Sequence, residues 1–411
     1  MNTENNIDLR SMFDAYMFPN YSPSKYVPHR GQASKVWDKE GKEFVDFAGG
    51  IAVNCLGHCH PQVNKALIKA IDSFWHTSNI LTNSSAVLLA KKFVDSTFAD
   101  KVFFANSGAE ANEAAFKLAR RYYYDQGNPD KNHIISFHNG FHGRTFFTVS
   151  VGGKSSYSEG FGPNPTGIIH SQYNNIQAVT DVFSENVCAV VVEPILGEGG
   201  IVPADPDFLI ALRRLCDQYD AALIFDEVQT GVGRTGKLYA YMHHDIEPDI
   251  LTTSKSLGNG FPVAALLAKS NFASSFKVGT HGSTFGGNNL ACTVALEVLN
   301  IVDDKDLLLK VSEKEAIFRE HLLSLNNEYN IFSDIRGKGM MLGCLLNDSY
   351  KGMAKQIITS AMDCGLIMLI AGADVVRLTP SLIIEDDVIA EGFVRFRRAI
   401  EGFLNQLKGV D

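Results

Sequence analysis

Apolar and polar positions along this chain form two kinds of stretch that alternate through its middle. Runs that are apolar almost throughout occur at Lys101–Ala105 (KVFFA), Ile134–Phe137 (IISF), Ala189–Glu193 (AVVVE), Ala222–Asp226 (ALIFD), Ile250–Ser254 (ILTTS) and Val263–Ala268 (VAALLA). Each has the length of a strand and lacks the two-residue alternation of a half-exposed one, so each predicts a strand buried on both faces. Longer amphipathic stretches separate them. Strands alternating with such helices imply an α/β fold, a mostly parallel sheet with helices on both faces.

The two ends read differently. Residues 21–47 hold Pro23, Pro28, a turn at Gly41 and the short strand-like pieces Lys35–Asp38 and Glu43–Phe47. Beyond about Asn300 a charged helical stretch, Asp304–Tyr329, precedes strand-like pieces at Met340–Leu346 and Val375–Leu378. The simplest architecture is a large α/β domain over 59–300 and a smaller α+β domain built from both termini, 1–58 and 301–411.

Composition narrows the function classes. The chain has 411 residues, 45% of them hydrophobic and 20% charged, an ordinary balance for a folded globular protein. A formal net charge of −9 argues against a nucleic-acid surface, which needs clustered cations. Lys117, Arg120 and Arg121 sit at helical spacing and read as a solvated helix face. The N-terminal MNTENNIDLRSMF carries acids and amides where a secretory signal has basic and then apolar residues. No run approaches the ~18 apolar residues of a membrane span. Seven scattered cysteines, an odd number, suit reduced thiols and a cytoplasmic location.

Ligands of α/β sheets collect at the carboxyl ends of strands, and four strand ends carry suggestive groups. After KVFFA, Asn106-Ser107-Gly108-Ala109-Glu110 leads into a helix whose first N–H groups suit a phosphate; Ser107 serves equally well as a plain helix cap. Asp226 ends the strand ALIFD, where a carboxylate is costly unless a cation such as a protonated pyridine nitrogen meets it; a buried salt bridge or a metal ligand would also account for it. Lys255 follows ILTTS and precedes the Gly-rich Ser256–Pro262, and desolvation there favours the neutral, nucleophilic amine. After IISF come Phe141, His142, Gly143 and Arg144, a ring able to stack on a flat cofactor and a guanidinium able to grip a carboxylate.

Three patterns imitate other chemistries. Cys55, His58, Cys59 and His60 are grouped in one segment, whereas a zinc site draws on two separated pairs; no metal is expected. Gly231–Gly236 fits GxGxxG but begins beyond the end of its strand and is not clearly continued by a helix, so it reads as a glycine-shaped loop rather than a dinucleotide site. Asp226 and Glu227 are adjacent and point to opposite faces of a strand. A nicotinamide oxidoreductase using the glycine loop remains as an alternative at this point.

In order and spacing, NSGAEANEAAFKLAR, FHGR, EPILGEGG, IFDEVQTGVGRTG, SKSLGNGFP and THGSTFGGN together resemble the class III aminotransferases of the fold-type-I pyridoxal phosphate enzymes, from about Tyr21 to Glu385. VDFAGGIAV, LGHCHP, LYAYMHH, FSDIRG and VVRLTPSL are most similar to the acetylornithine and succinylornithine branch. The resemblance implies transfer of the 5-amino group of an N2-acylornithine to 2-oxoglutarate, with ornithine and 4-aminobutyrate as alternative donors and a pyridoxal phosphate enzyme that is not a transaminase, such as an aminomutase or decarboxylase, as the alternative class. It implies pyridoxal 5'-phosphate bound as a Schiff base on Lys255, its ring nitrogen on Asp226, its ring under Phe141 and its phosphate on Ser107, Gly108 and Ala109. Glu227, Val228 and Gln229 fall in the matching cofactor segment, the latter two near the phenolic oxygen.

It further implies that Thr284 reaches the phosphate in a neighbouring subunit, making a homodimer with shared active sites. Arg144 takes the carboxylate remote from the reacting carbon, with Ser283 and Tyr21 as supporting contacts. Arg377, masked by Glu198, is freed for the keto acid. Many relatives have Gln where this chain has Leu196, which removes an amide beside Glu198. The acyl group and the direction of flux are not readable from sequence.

Overall fold

The computed structural model describes residues 8–408. Its central sheet has seven strands in the order Lys101–Ala105, Ala264–Ala268, Ile250–Thr253, Ala222–Asp226, Val187–Val192, His133–Phe137, Ile168–Ser171. Ala264–Ala268 runs antiparallel to both neighbours, and the other pairings are parallel. Six strands therefore end along one edge, which is where the four suggestive segments lie.

The predicted runs match these strands to within a residue or two at each end, for a simple reason. Val187–Val192 and Ala222–Asp226 are buried at every position, so no face was left to be polar. Successive residues serve opposite layers: Ala222 and Ile224 join the core beneath the helix Gly108–Asp125, while Leu223 and Phe225 face the larger core with Leu209, Leu212, Leu89 and Phe93. Small residues on that helix, Ala111, Ala114, Ala115 and Ala119, are fully buried and let it lie close to the sheet.

Several strands were not legible, two of them because they are partly exposed. Ile168–Ser171 lies at the sheet edge, only partly buried, and Phe332–Lys338 has a mostly exposed or half-exposed pattern with Asp334 and Arg336 in it. Lys117, Arg120 and Arg121 are also not the uniformly solvated face expected. Arg120 is half-buried over the Phe147 ring and donates to the carbonyls of Asn132 and Thr166, Arg121 pairs with Asp125, and Lys117 meets His281.

The two ends of the chain meet. Val45 and Asp46 pair in parallel with Leu366 and Ile367, and Arg395 donates to the carbonyls of Glu43 and Gly365. Gly392, on the helix Asp386–Lys408, packs on Phe47 so closely that a Cβ would sit 2.1 Å from the ring. A second four-stranded sheet, in the order Phe332–Lys338, Met341–Leu346, Val375–Leu378, Leu369–Ile370, carries Arg377. Among the described residues no helix is long and apolar enough to cross a membrane. The first seven residues of the N-terminal segment read for a leader lie outside the described residues.

Candidate active site

Lys255 opens a single 3-10 turn at the end of strand Ile250–Thr253, with φ 45°. A side chain in this left-handed region costs of order 1–3 kcal/mol and persists only where neighbours over-determine it. Here the Ser256 hydroxyl donates to the Ala52 carbonyl, the Cys55 thiol to the Ser256 carbonyl, and the Leu56 N–H to the Asn259 side chain. Burial, then the charge of Arg377, pushes the Lys255 amine down to about 8, against the pull of Glu198, Glu193 and Asp226. Those five groups therefore share one electrostatic neighbourhood.

Asp226 is buried at the end of its strand, and three contacts hold it. Its Oδ2 accepts from Asn112 Nδ2 at 2.8 Å and meets His142 Nδ1 at 2.8 Å, while Oδ1 accepts the Val228 N–H at 3.0 Å. Thr252 in turn donates to Asn112 Oδ1 at 2.7 Å, fixing the amide's orientation. Burial pushes His142 down, but the hydrogen bond and charge of Asp226 outweigh it and leave its pKa raised. Sequence reasoning missed Asn112 and gave His142 no role. The one signal was Asn112 itself, a polar residue on an otherwise alanine-rich buried helix face.

Glu193, also missed, joins two parts of the site. Its carboxylate accepts the Phe141 N–H at 2.8 Å and the Gly197 N–H at 3.0 Å, and burial pushes its pKa upward. It thereby anchors both the segment with Phe141 and Arg144 and the hairpin with Glu198.

At the helix start, the Ser107 hydroxyl accepts the Glu110 N–H, and the Glu110 carboxylate accepts the N–H groups of Asn106 and Ser107. The capping role is therefore real. It leaves the N–H groups of Gly108 and Ala109, in the first helical turn, without intrahelical partners. A Cβ at Gly108 would lie 2.8 Å from Val228, so the cradle closes against the segment after Asp226 only because residue 108 is glycine.

Arg144 is exposed and stacks on the Tyr157 ring, with Cζ 3.6 Å from the centroid and 5.7 Å from that of Phe141. Phe141 meets Tyr157 edge-on at 6.0 Å. The guanidinium is thus held by its flat face, which leaves its donors at the edge for a ligand. Tyr157 had no place in the sequence reading.

Across the site, buried Arg377 donates through Nη1 to Glu198 at 2.6 Å and to Gln229 Oε1 at 3.3 Å. Burial alone would raise the Glu198 pKa, but the charge and hydrogen bond of Arg377, with the charges of Lys255 and Lys154, more than offset it and hold the carboxyl below its ordinary value. Glu198 sits on a tight hairpin in which Leu196 pairs with Val202. Gly197 lets Gln229 approach, since a Cβ there would lie 2.0 Å from its amide nitrogen. An amide therefore stands beside Arg377, although residue 196 is leucine.

The family model for aminotransferase class-III matches residues 16–400. The chain is 54% identical over 391 residues to an acetylornithine aminotransferase of Shewanella oneidensis, covering 95% of this chain and 96% of the relative. It is 55% identical over 395 residues to a succinylornithine transaminase of Photorhabdus laumondii, covering 96% and 98%. Among solved structures, N-acetylornithine aminotransferase from Stenotrophomonas maltophilia superposes with a TM-score of 0.85 at 39% identity, covering 96% and 99%. Ornithine aminotransferase from Toxoplasma gondii gives 0.93 at 31% identity, covering 99% and 97%. The chain belongs to the class-III aminotransferases.

It is a pyridoxal-phosphate-dependent transaminase of fold-type-I architecture, and the donors fit that cofactor. A free pair of N–H groups at Gly108 and Ala109, a buried carboxylate at Asp226 and an amine lowered to about 8 at Lys255 gather at one sheet edge.

The remaining residues that the sequence reading singled out in this aminotransferase have the following places. The Glu227 carboxylate turns away to accept the N–H groups of Ala240 and Tyr241 and the Thr230 hydroxyl, so its side chain holds the following loop rather than a cofactor. Tyr21 is 72% exposed and, among the described residues, no hydrogen bond joins its side chain to the cluster. The Ser283 hydroxyl accepts from Asn106 and from the Gly286 N–H, which sets its loop beside the cradle, and Thr284 is exposed on that loop. Arg234 of the glycine loop is fully buried and donates to the carbonyls of Met340 and Pro380. His58 is bound to Asp46 at 2.8 Å, and the Cys55 thiol is taken by the Ser256 carbonyl.

Proposed function

We propose that this transaminase moves the 5-amino group of N2-acetyl-L-ornithine or N2-succinyl-L-ornithine to 2-oxoglutarate, giving the acylglutamate semialdehyde and glutamate. One observation carries this reading: a buried arginine beside the reactive lysine is masked by a half-buried glutamate. The keto acid has a carboxylate next to its reacting carbon, and the acylornithine has none. A site that serves both must offer a cation in one half-reaction and conceal it in the other. The names of the relatives from Shewanella and Photorhabdus agree with this substrate class.

When bound, the cofactor supplies an electron sink and carries the amino group between the two substrates. Gly108 and Ala109 N–H groups and the Ser107 hydroxyl hold its phosphate, and Asp226 keeps its ring nitrogen protonated. Phe141, Val228 and Gln229 would line its ring. Lys255 tethers it and moves the proton at the reacting carbon; an amine with a pKa near the working pH is suited to both giving and taking that proton. Arg144 grips the remote carboxylate: the α-carboxylate of the acylornithine or the γ-carboxylate of the keto acid. Arg377, once Glu198 has moved, takes the α-carboxylate of the keto acid.

The working unit in this reading is a homodimer in which Thr284 completes the partner's phosphate site. Trp75, Ile80, Leu81 and Phe285 support it as exposed apolar side chains, tied together where Asn79 donates to the Ser283 carbonyl and His76 meets the Phe285 ring. Division into 59–300 and a unit made of 1–58 and 301–411, a cytoplasmic location and a place in arginine metabolism complete the proposal; all seven cysteines being free thiols supports the location.

The decisive assay measures glutamate formed from 2-oxoglutarate with acetylornithine, succinylornithine, ornithine and 4-aminobutyrate side by side. Higher kcat/KM for one or both acylornithines is expected, and turnover with only the last two would overturn the substrate.

A further inference from the structure

If Arg377 is to bind the keto acid, the Glu198 carboxylate must go somewhere. It is half-buried, and an ionised carboxylate parted from its cation in such a place is costly unless a second cation meets it. The structure holds one within reach. Lys154 Nζ donates at 2.6 Å to the main-chain carbonyl of Glu198 itself.

Three features set this ammonium apart from an ordinary surface lysine. It is half-buried, and among the described residues it forms no ion pair with a carboxylate. It has three protons and the carbonyl uses one. Its backbone is fixed: Gly153 bridges to His138, its N–H donates to the Gly140 carbonyl, and a Cβ at residue 153 would lie 2.0 Å from the Phe137 carbonyl oxygen. The ammonium also lies 5.5 Å from the centroid of the Tyr157 ring that carries Arg144. Its charge already acts on the Glu198 carboxyl, after those of Arg377 and Lys255.

We propose that Lys154 is the second station of the Glu198 gate, a positioning residue that receives the carboxylate while Arg377 holds the keto acid. Because the ammonium is bound to the same residue's carbonyl, rotation of the Glu198 side chain carries the carboxylate across with the hairpin standing still. The inference deepens the acylornithine reading and rests on its need for a cation concealed in one half-reaction. As a mere tether of the hairpin, Lys154 would serve both half-reactions alike.

The two roles separate in single-turnover kinetics of the cofactor-loaded enzyme. With protein first given its amino group by glutamate, Lys154→Met should raise the 2-oxoglutarate concentration needed for half-maximal rate by about tenfold, the loss expected for one charge-assisted contact. The acylornithine half-reaction should stay within about twofold, and Lys154→Arg should restore most of the loss. In a Glu198→Gln background the effect of Lys154→Met should shrink to within about twofold, since the carboxylate it serves is gone. Equal losses in both half-reactions, or an undiminished loss beside Glu198→Gln, would overturn the station. So would a loss confined to succinylornithine, which would make the ammonium a contact to the succinyl tail. Inactivity of the unmodified enzyme with both acylornithines would sink the substrate reading alone, because the coupling is read from glutamate-loaded enzyme and needs no acylornithine.

Discussion

The two carboxylates of this site, Asp226 and Glu198, live under opposite conditions. Asp226 is 4% exposed and accepts from Asn112 and the Val228 N–H as well as meeting His142, and Asn112 is itself fixed by Thr252. Glu198 is half-buried, is bound to one nitrogen of Arg377, and leaves the buried Nε of that arginine without a partner among the described residues. The difference follows what each must do. A group that meets the same partner in both half-reactions is best over-determined, since preorganised charge needs no rearrangement at the moment of reaction. A group that must change partners has to be held loosely enough to leave.

That contrast yields an ordered set of tests. In the proposed reaction Lys255 serves both sides, so Lys255→Ala should lower transamination by ~10³-fold or more with every substrate and replace the Schiff-base band of the loaded protein by that of the free aldehyde; an unchanged band would exclude the covalent tether. Asp226→Asn should reduce kcat by ~10²-fold, equally for donor and keto acid. Unequal losses would show that the Asp226 side is not the fixed one. Arg377→Ala should divide the substrates, raising KM for 2-oxoglutarate by ~10–100-fold while leaving that for the acylornithine nearly unchanged.

Protonation offers a fourth test. With the Lys255 amine at about 8, cofactor uptake by the cofactor-free protein should climb with pH up to that value and level off above it, as the neutral amine accumulates. Arg377→Ala removes a cation that lowers this pKa, so the midpoint should move upward; an unmoved midpoint would mean that the two groups do not communicate. The smallest effect is expected at Tyr157, which positions Arg144 through its ring. Tyr157→Leu should raise KM for both substrates about threefold, in the range of one exposed cation–π contact.

The central sheet was legible because its strands are buried on both faces, and burial leaves an uninterrupted apolar run in the sequence. The edge strands Ile168–Ser171 and Phe332–Lys338 were not, because partly exposed strands mix polar and apolar residues as loops do. Lys255, Asp226 and the Gly108 cradle could be found since each directly follows a strand or opens a helix, positions that sequence marks. Glu193 and Tyr157 escaped because they work through the N–H of Phe141 and the flat face of Arg144, contacts that no local pattern announces. Glu227, placed in the cofactor segment by its neighbours but turned to the opposite face by strand geometry, has its carboxylate on the N–H groups of Ala240 and Tyr241.

By itself the amino-acid sequence determined the alternation of buried strands and helices, the strand ends at which chemistry gathers, and, through the order of its motifs, the aminotransferase class. Only tertiary structure decided which carboxylate is held by several donors and which by one arginine nitrogen. Strand identity and helix starts are set by residues a few positions apart, whereas the partners of Asp226 and Glu198 come from Asn112, His142, Lys154 and Arg377, brought together by sheet order and the meeting of the chain's two ends. Whether a carboxylate is locked or free depends on that assembled count of donors and on how much water reaches it.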